Sequence, residues 1–141
     1  MEIKTELVRM FEYDLWANLK WFPLCVDDPY RSVMRHLVQA QLIWLDRSGG
    51  NALITASDPF DLVEEIGLRW VEHISKVDLE KVVDYLDLKG NKQRTVRRDI
   101  CRHVINHGTY HRGQIRGMVE AAGILDFPET DYIGFLRELG I

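Results

Sequence analysis

Apolar residues along this chain return mostly at every third or fourth position, the period of helices that lie against a core. Between residues 2 and 25, Leu7, Phe11, Leu15, Phe22 and Cys25 keep that spacing, and Pro23 and Pro29 mark the end of a first helix. A second helix is predicted from Pro29 to Arg47, where Val33, His36, Leu37, Ala40, Ile43 and Trp44 recur before Ser48-Gly49-Gly50-Asn51 stops it. Ser57 or Asp58 caps a third, which begins at Pro59 and carries Phe60, Val63, Ile66, Trp70, His73 and Ile74 to about Val77. The fourth and longest runs from about Val96 to Ala122 and closes at Gly123; after Pro128 a short last helix starts, with Thr130 as its cap.

Residues 78–95 break the helical period. Val82, Val83, Tyr85, Leu86 and Leu88 lead into the turn signal Lys89-Gly90-Asn91-Lys92, and Thr95-Val96 follow, which reads as a short hairpin in competition with a brief helix from Asp78. The expectation is one all-α domain over residues 1–141, with a hairpin or irregular insertion before the fourth helix. A chain of 141 residues is long enough to bury a core without staples.

Polar residues that fall on the apolar stripes carry the candidate chemistry. On the fourth helix, Ile100, Val104, His107, His111, Ile115, Met118 and Ala122 lie within an arc of about 80°, so both imidazoles are expected on the core side. Four residues are one turn, roughly 6 Å of rise, which lets both rings reach one point. That is metal-ligand spacing, although no Glu follows His107 as it does in the metalloprotease pattern. His36 holds a similar place on the second helix. A histidine on such a stripe, taken alone, is more often a hydrogen-bonded core residue than a ligand. His103 stands about 60° off the stripe and is read as a neighbour; His73 is read as structural, near a helix carboxyl end that favours imidazolium. Asp14 and Asn18 lie close to the first stripe, where polar groups need partners, and are either structural hydrogen bonders or residues that orient ligands. Gly108, Gly113 and Gly117 each cost about 1 kcal/mol against Ala inside a helix, and point to close approach of another backbone.

Composition narrows the classes. Hydrophobic residues make up 46% and charged ones 28%, ordinary for a globular protein, and the formal charge of −4 argues against a nucleic-acid-binding domain. The segment Lys89 to Arg102 is a local exception, with Lys89, Lys92, Arg94, Arg97, Arg98 and Arg102; it is a solvated face or a receptor for an anionic cosubstrate, with Arg97 and Arg98 its foremost candidates. Cys25 and Cys101 are isolated, and neither a signal-peptide run nor a membrane span is visible, so a cytoplasmic protein with reduced thiols is expected.

Four pieces, in order, carry a resemblance: Tyr13-Asp14-Leu15-Trp16-Ala17-Asn18; His36-Leu37 with Trp44-Leu45-Asp46-Arg47; Asn106-His107-Gly108-Thr109-Tyr110-His111-Arg112-Gly113-Gln114; and Thr130-Asp131-Tyr132. The chain resembles the DinB-like family over nearly its whole length, the third piece being the specific one. The connection from Trp16 to His36 is shorter than is typical of that family. The resemblance implies a four-helix bundle of up-down-down-up order and a homodimer. It also implies a divalent metal ion, zinc or nickel first and iron or another next, held by His36, His107 and His111. Three imidazoles leave a position for water or substrate. The implied activity is therefore a metal-dependent hydrolase, or a transferase of a low-molecular-weight thiol such as bacillithiol or mycothiol, acting on a small molecule with Asp14, Asn18 or Gln114 orienting ligands or moving a proton. The alternative is a non-catalytic metal-binding module that dimerises.

Overall fold

The structure of the chain, a computed structural model, describes residues 2–141. Helix α1 spans Ile3–Trp21, α2 Tyr30–Arg47, α3 Val63–Lys76, α4 Arg97–Ala121 and α5 Tyr132–Leu139; strands β1, Val82–Leu86, and β2, Lys92–Val96, lie between α3 and α4. The molecule is mostly helical with one small antiparallel sheet. Among the described residues no helix is long and apolar enough to cross a membrane.

The core follows the periodic apolar positions. Helix α1 packs chiefly on α3 and α2 on α4, while α1 also touches α4 and α2 touches α3. Phe11 of α1 stacks flat on Trp70 of α3, ring centres 4.7 Å apart, and Leu37, Ile66, Ile74, Ile100 and Ile115 belong to the same core. Burying one such side chain contributes about 1.5–3 kcal/mol. A close approach does occur at Gly67, where an added Cβ would meet Leu15 Cδ1 at 2.6 Å.

Helix ends depart from the expected ones where local hydrogen bonding takes over. The first helix stops at Trp21, and Phe22–Cys25 continues as a 3-10 turn because Pro23 removes a backbone donor. Pro59–Leu62 is likewise a 3-10 turn before α3, and Asp58 caps it by accepting from Phe60 N at 3.0 Å. Thr130 does not cap α5. Asp131 stands at that position, and Thr130 is used instead to fasten the segment before α5, its hydroxyl accepting from Trp21 Nε1 at 3.0 Å and its carbonyl from Tyr13 Oη at 2.6 Å.

The hairpin reading holds over the helical one. Strand β1 pairs with β2 in the register Val82↔Val96 to Leu86↔Lys92. Asp87 organises the turn by accepting from Lys89 N and Asn91 N, both at 2.9 Å, and Gly90 supplies a positive φ of 83°. Tyr85 turns inward onto Trp44 of α2, and Arg47 lies over the Trp44 ring at 4.5 Å while donating to Leu86 O. The hairpin is thus seated on the end of α2.

Candidate metal centre

Helices α2 and α4 bring His36, His107 and His111 together, with one ligand atom from each lying within 4.8 Å of the others. The ring centres of His36 stand 4.6 Å from His111 and 5.3 Å from His107. His107 Nε2 and His111 Nε2 are 3.1 Å apart. Two imidazole nitrogens on one tetrahedral zinc, each at about 2.05 Å, would stand about 3.3 Å apart, so the pair is already close to ligand separation.

Tautomer and charge favour the same use. Gln114 Oε1 can only accept, so the 2.9 Å contact requires His111 Nδ1–H to donate to it and leaves His111 Nε2 as a lone pair aimed at the cluster. Burial, followed by the nearby His111, His36 and His103, pushes the His107 pKa down to about 4. Burial and then His111 lower His36 as well. At neutral pH both are neutral imidazoles, the form that binds a metal. The donor set, its convergence and its protonation all fit a divalent cation.

The cluster does not lie on the core stripe. The buried line of α4 is Ile100, Cys101, Val104, Ile105, Gly108, Arg112, Ile115 and Val119, rotated by about one residue from the expected one. His107 and His111 are half-buried at its edge and His36 is exposed. On α2 the buried line is Met34, Leu37, Val38, Gln41 and Leu45. The rotation has a physical cause. Asp14 on α1 faces α4 and takes the guanidinium of Arg112, which turns that residue inward and swings the histidines toward the outer seam between α2 and α4. His103 remains outside the cluster, edge-on to Trp44 at 5.1 Å.

Asp14 and Asn18 contact none of the three histidines. They are 2% and 1% exposed and belong to an inner polar network. Arg112 Nη1 donates to Asp14 Oδ1 at 2.6 Å and to Asn18 Oδ1 at 2.8 Å, and Gln41 Nε2 donates to Asp14 Oδ2. Of the two readings for these side chains, the structural hydrogen bonders match these contacts. Arg112 and Gln41 are the members that sequence reasoning missed. Both lie off the stripes that spacing predicts for α2 and α4, so the only signal for them was the need of the polar Asp14 for a partner.

Arg97 and Arg98 are not gathered with the histidines. Arg97 is buried and donates from Nε to Ser48 Oγ at 3.0 Å, from Nη2 to Ser48 O at 2.8 Å and from Nη1 to Asp78 O at 2.7 Å. Arg98 pairs with Glu80 at 2.9 Å, while Arg94 pairs with Asp84 and Arg102 with Asp99. The basic run is therefore largely neutralised by its own surroundings. His73 also departs from expectation. Burial, then the charge of Arg97, lowers its pKa, outweighing the helix end.

Known proteins place the chain. Protein DinB of Bacillus subtilis (strain 168) is 26% identical over 155 aligned residues, which cover 88% of this chain and 90% of that protein. No solved structure is a significant match. The model of the DinB family matches residues 30–138, a span that holds all three histidines and both helices carrying them, and the chain belongs to the DinB family.

Proposed function

We propose that the protein is a divalent-metal-dependent enzyme whose ion is held by His36, His107 and His111, with zinc or nickel as the first candidates. The carrying observation is the convergence of three imidazole donors, with His107 Nε2 and His111 Nε2 3.1 Å apart. The chemistry that such an ion supplies is acidification of a water or thiol that reaches it, water falling to a pKa of about 7. The reaction class is hydrolysis, or transfer of a low-molecular-weight thiol onto a small electrophile.

The chain's own residues have separate parts in this reading. Gln114 holds His111 in the tautomer that offers Nε2 to the cluster. His36, exposed on α2, leaves the approach from solvent open, and Tyr110, 70% exposed and edge-on to His111 at 5.1 Å, flanks that approach. Arg97 and Arg98 have a structural part, at the junction of α2, α3 and α4. The four long helices form, in this reading, a four-helix bundle of up-down-down-up order in a single domain, and two chains form a cytoplasmic homodimer.

Metal analysis of protein purified without a histidine tag tests the site. About one equivalent of zinc or nickel is expected in the native protein, with loss of that metal in the His36→Ala, His107→Ala double variant. Equal content in the two proteins would falsify the assignment. Turnover of a thiol with monochlorobimane, dependent on added metal, marks a transferase; metal-dependent cleavage of an ester panel without thiol marks a hydrolase.

A further inference from the structure

Each helix that carries a candidate ligand is tied to one buried carboxylate. From α2, Gln41 Nε2 donates to Asp14 Oδ2; from α4, Arg112 Nη1 donates to Asp14 Oδ1. Anchor and ligand are close neighbours on both helices. Arg112 follows His111 directly, so one turn of α4 presents its histidine to the outer seam and its arginine to α1. Gln41 lies five residues beyond His36, about 7.5 Å of rise along α2. We propose that Gln41 and Arg112 are positioning residues for the metal centre: through Asp14 they fix the register of α2 against α4, and with it the distance from His36 to His107 and His111. This inference rests on the metal-site reading above.

Three observations carry it. Gln41 Oε1 is buried without a hydrogen-bond partner among the described residues, and an orphaned buried acceptor costs about 1–3 kcal/mol. That cost offsets part of what the Nε2 bond to the buried Asp14 carboxylate contributes, so what glutamine adds at this position is chiefly the link from α2 to Asp14. The same turn of α2 is pinned from a second side, because Trp70 Nε1 of α3 donates to Gln41 O at 2.9 Å. Asp14 of α1 also lies close against α4 at this point: a Cβ on Gly108 would stand 2.4 Å from Asp14 Oδ1. Metal sites tolerate ligand displacements of only about 0.2 Å, whereas a slip of one residue along a helix is about 1.5 Å. A fixed register is what such a site needs.

The test compares zinc affinity, read by competition with a chromophoric chelator, with the melting temperature of the metal-free protein. Gln41→Met, which removes the bond to Asp14, is expected to lower the melting temperature of the metal-free protein and to weaken zinc binding about tenfold, the usual scale for groups that support ligands. Arg112→Lys, which retains charge but is shorter and lacks the second nitrogen that donates to Thr109 Oγ1, is expected to weaken it as well. Ile74→Val, in the core of α3, lowers stability and is expected to leave zinc affinity unchanged. If Gln41→Met binds zinc as tightly as the native protein while His36→Ala does not, the positioning role is wrong and the metal site stands. If the affinity loss in Gln41→Met is no greater than in Ile74→Val at equal loss of stability, the positioning role is also wrong. Equal zinc affinity in the native protein and His36→Ala removes the metal reading and this inference with it.

Discussion

The three glycines of α4 look alike in the sequence but differ in what surrounds them. Gly108 lies against the buried ion pair, where a Cβ would stand 2.4 Å from Asp14 Oδ1 and 3.0 Å from Arg112 Nη1. At Gly113 and Gly117 a Cβ would meet nothing within 4 Å. The expected backbone contact is therefore absent at two of these positions, and at Gly108 the neighbour is a carboxylate. Gly108→Ala should destabilise the protein by about 1–3 kcal/mol, the usual cost of overpacking, because neither partner of a buried pair can move without losing its bond. Gly113→Ala should stabilise it by up to about 1 kcal/mol through helix propensity. Urea unfolding of both variants distinguishes the sites; equal effects would mean that the close approach at Asp14 does not exist in solution.

At the scale of elements, the ends of α2, α3 and α4 meet at one hydroxyl. Arg97 Nε–H donates to Ser48 Oγ, and His73 Nε2 lies 2.7 Å from the same oxygen. Burial, and then the charge of Arg97, lowers the His73 pKa in the folded state. In the unfolded chain an ordinary histidine takes up its proton near pH 6.5. Below that pH the unfolded state binds more protons than the folded one, so stability falls as pH falls. His36, His103 and His107 are lowered too and act in the same direction. His73→Gln should therefore reduce, without abolishing, the loss of stability of metal-free protein between pH 6.5 and 5, measured by denaturant titration. An unchanged slope would show that protonation of His73 is not resisted at this junction.

For the whole molecule, periodicity was enough to locate every long helix, and Lys89-Gly90-Asn91-Lys92 marked the hairpin turn. The three histidines that converge were also legible in the chain, by resemblance to the family and by the spacing of His107 and His111. What spacing could not give was the rotation of α4, because that depends on a partner about a hundred residues away: Asp14 draws Arg112 inward, and the histidines follow to the seam. Placing them there has a consequence for stability. A cation bridging α2 and α4 binds the folded chain alone, since the unfolded chain holds His36 far from the other two. Zinc at a hundred times its dissociation constant should then add about 2.7 kcal/mol, a rise in melting temperature of roughly 8 °C for a domain of this size. Chelator should reverse the rise, and His36→Ala should remove most of it while keeping the metal-free melting temperature nearly unchanged, because that side chain is exposed. A native protein whose melting temperature ignores both zinc and chelator would leave the three imidazoles as a surface cluster only.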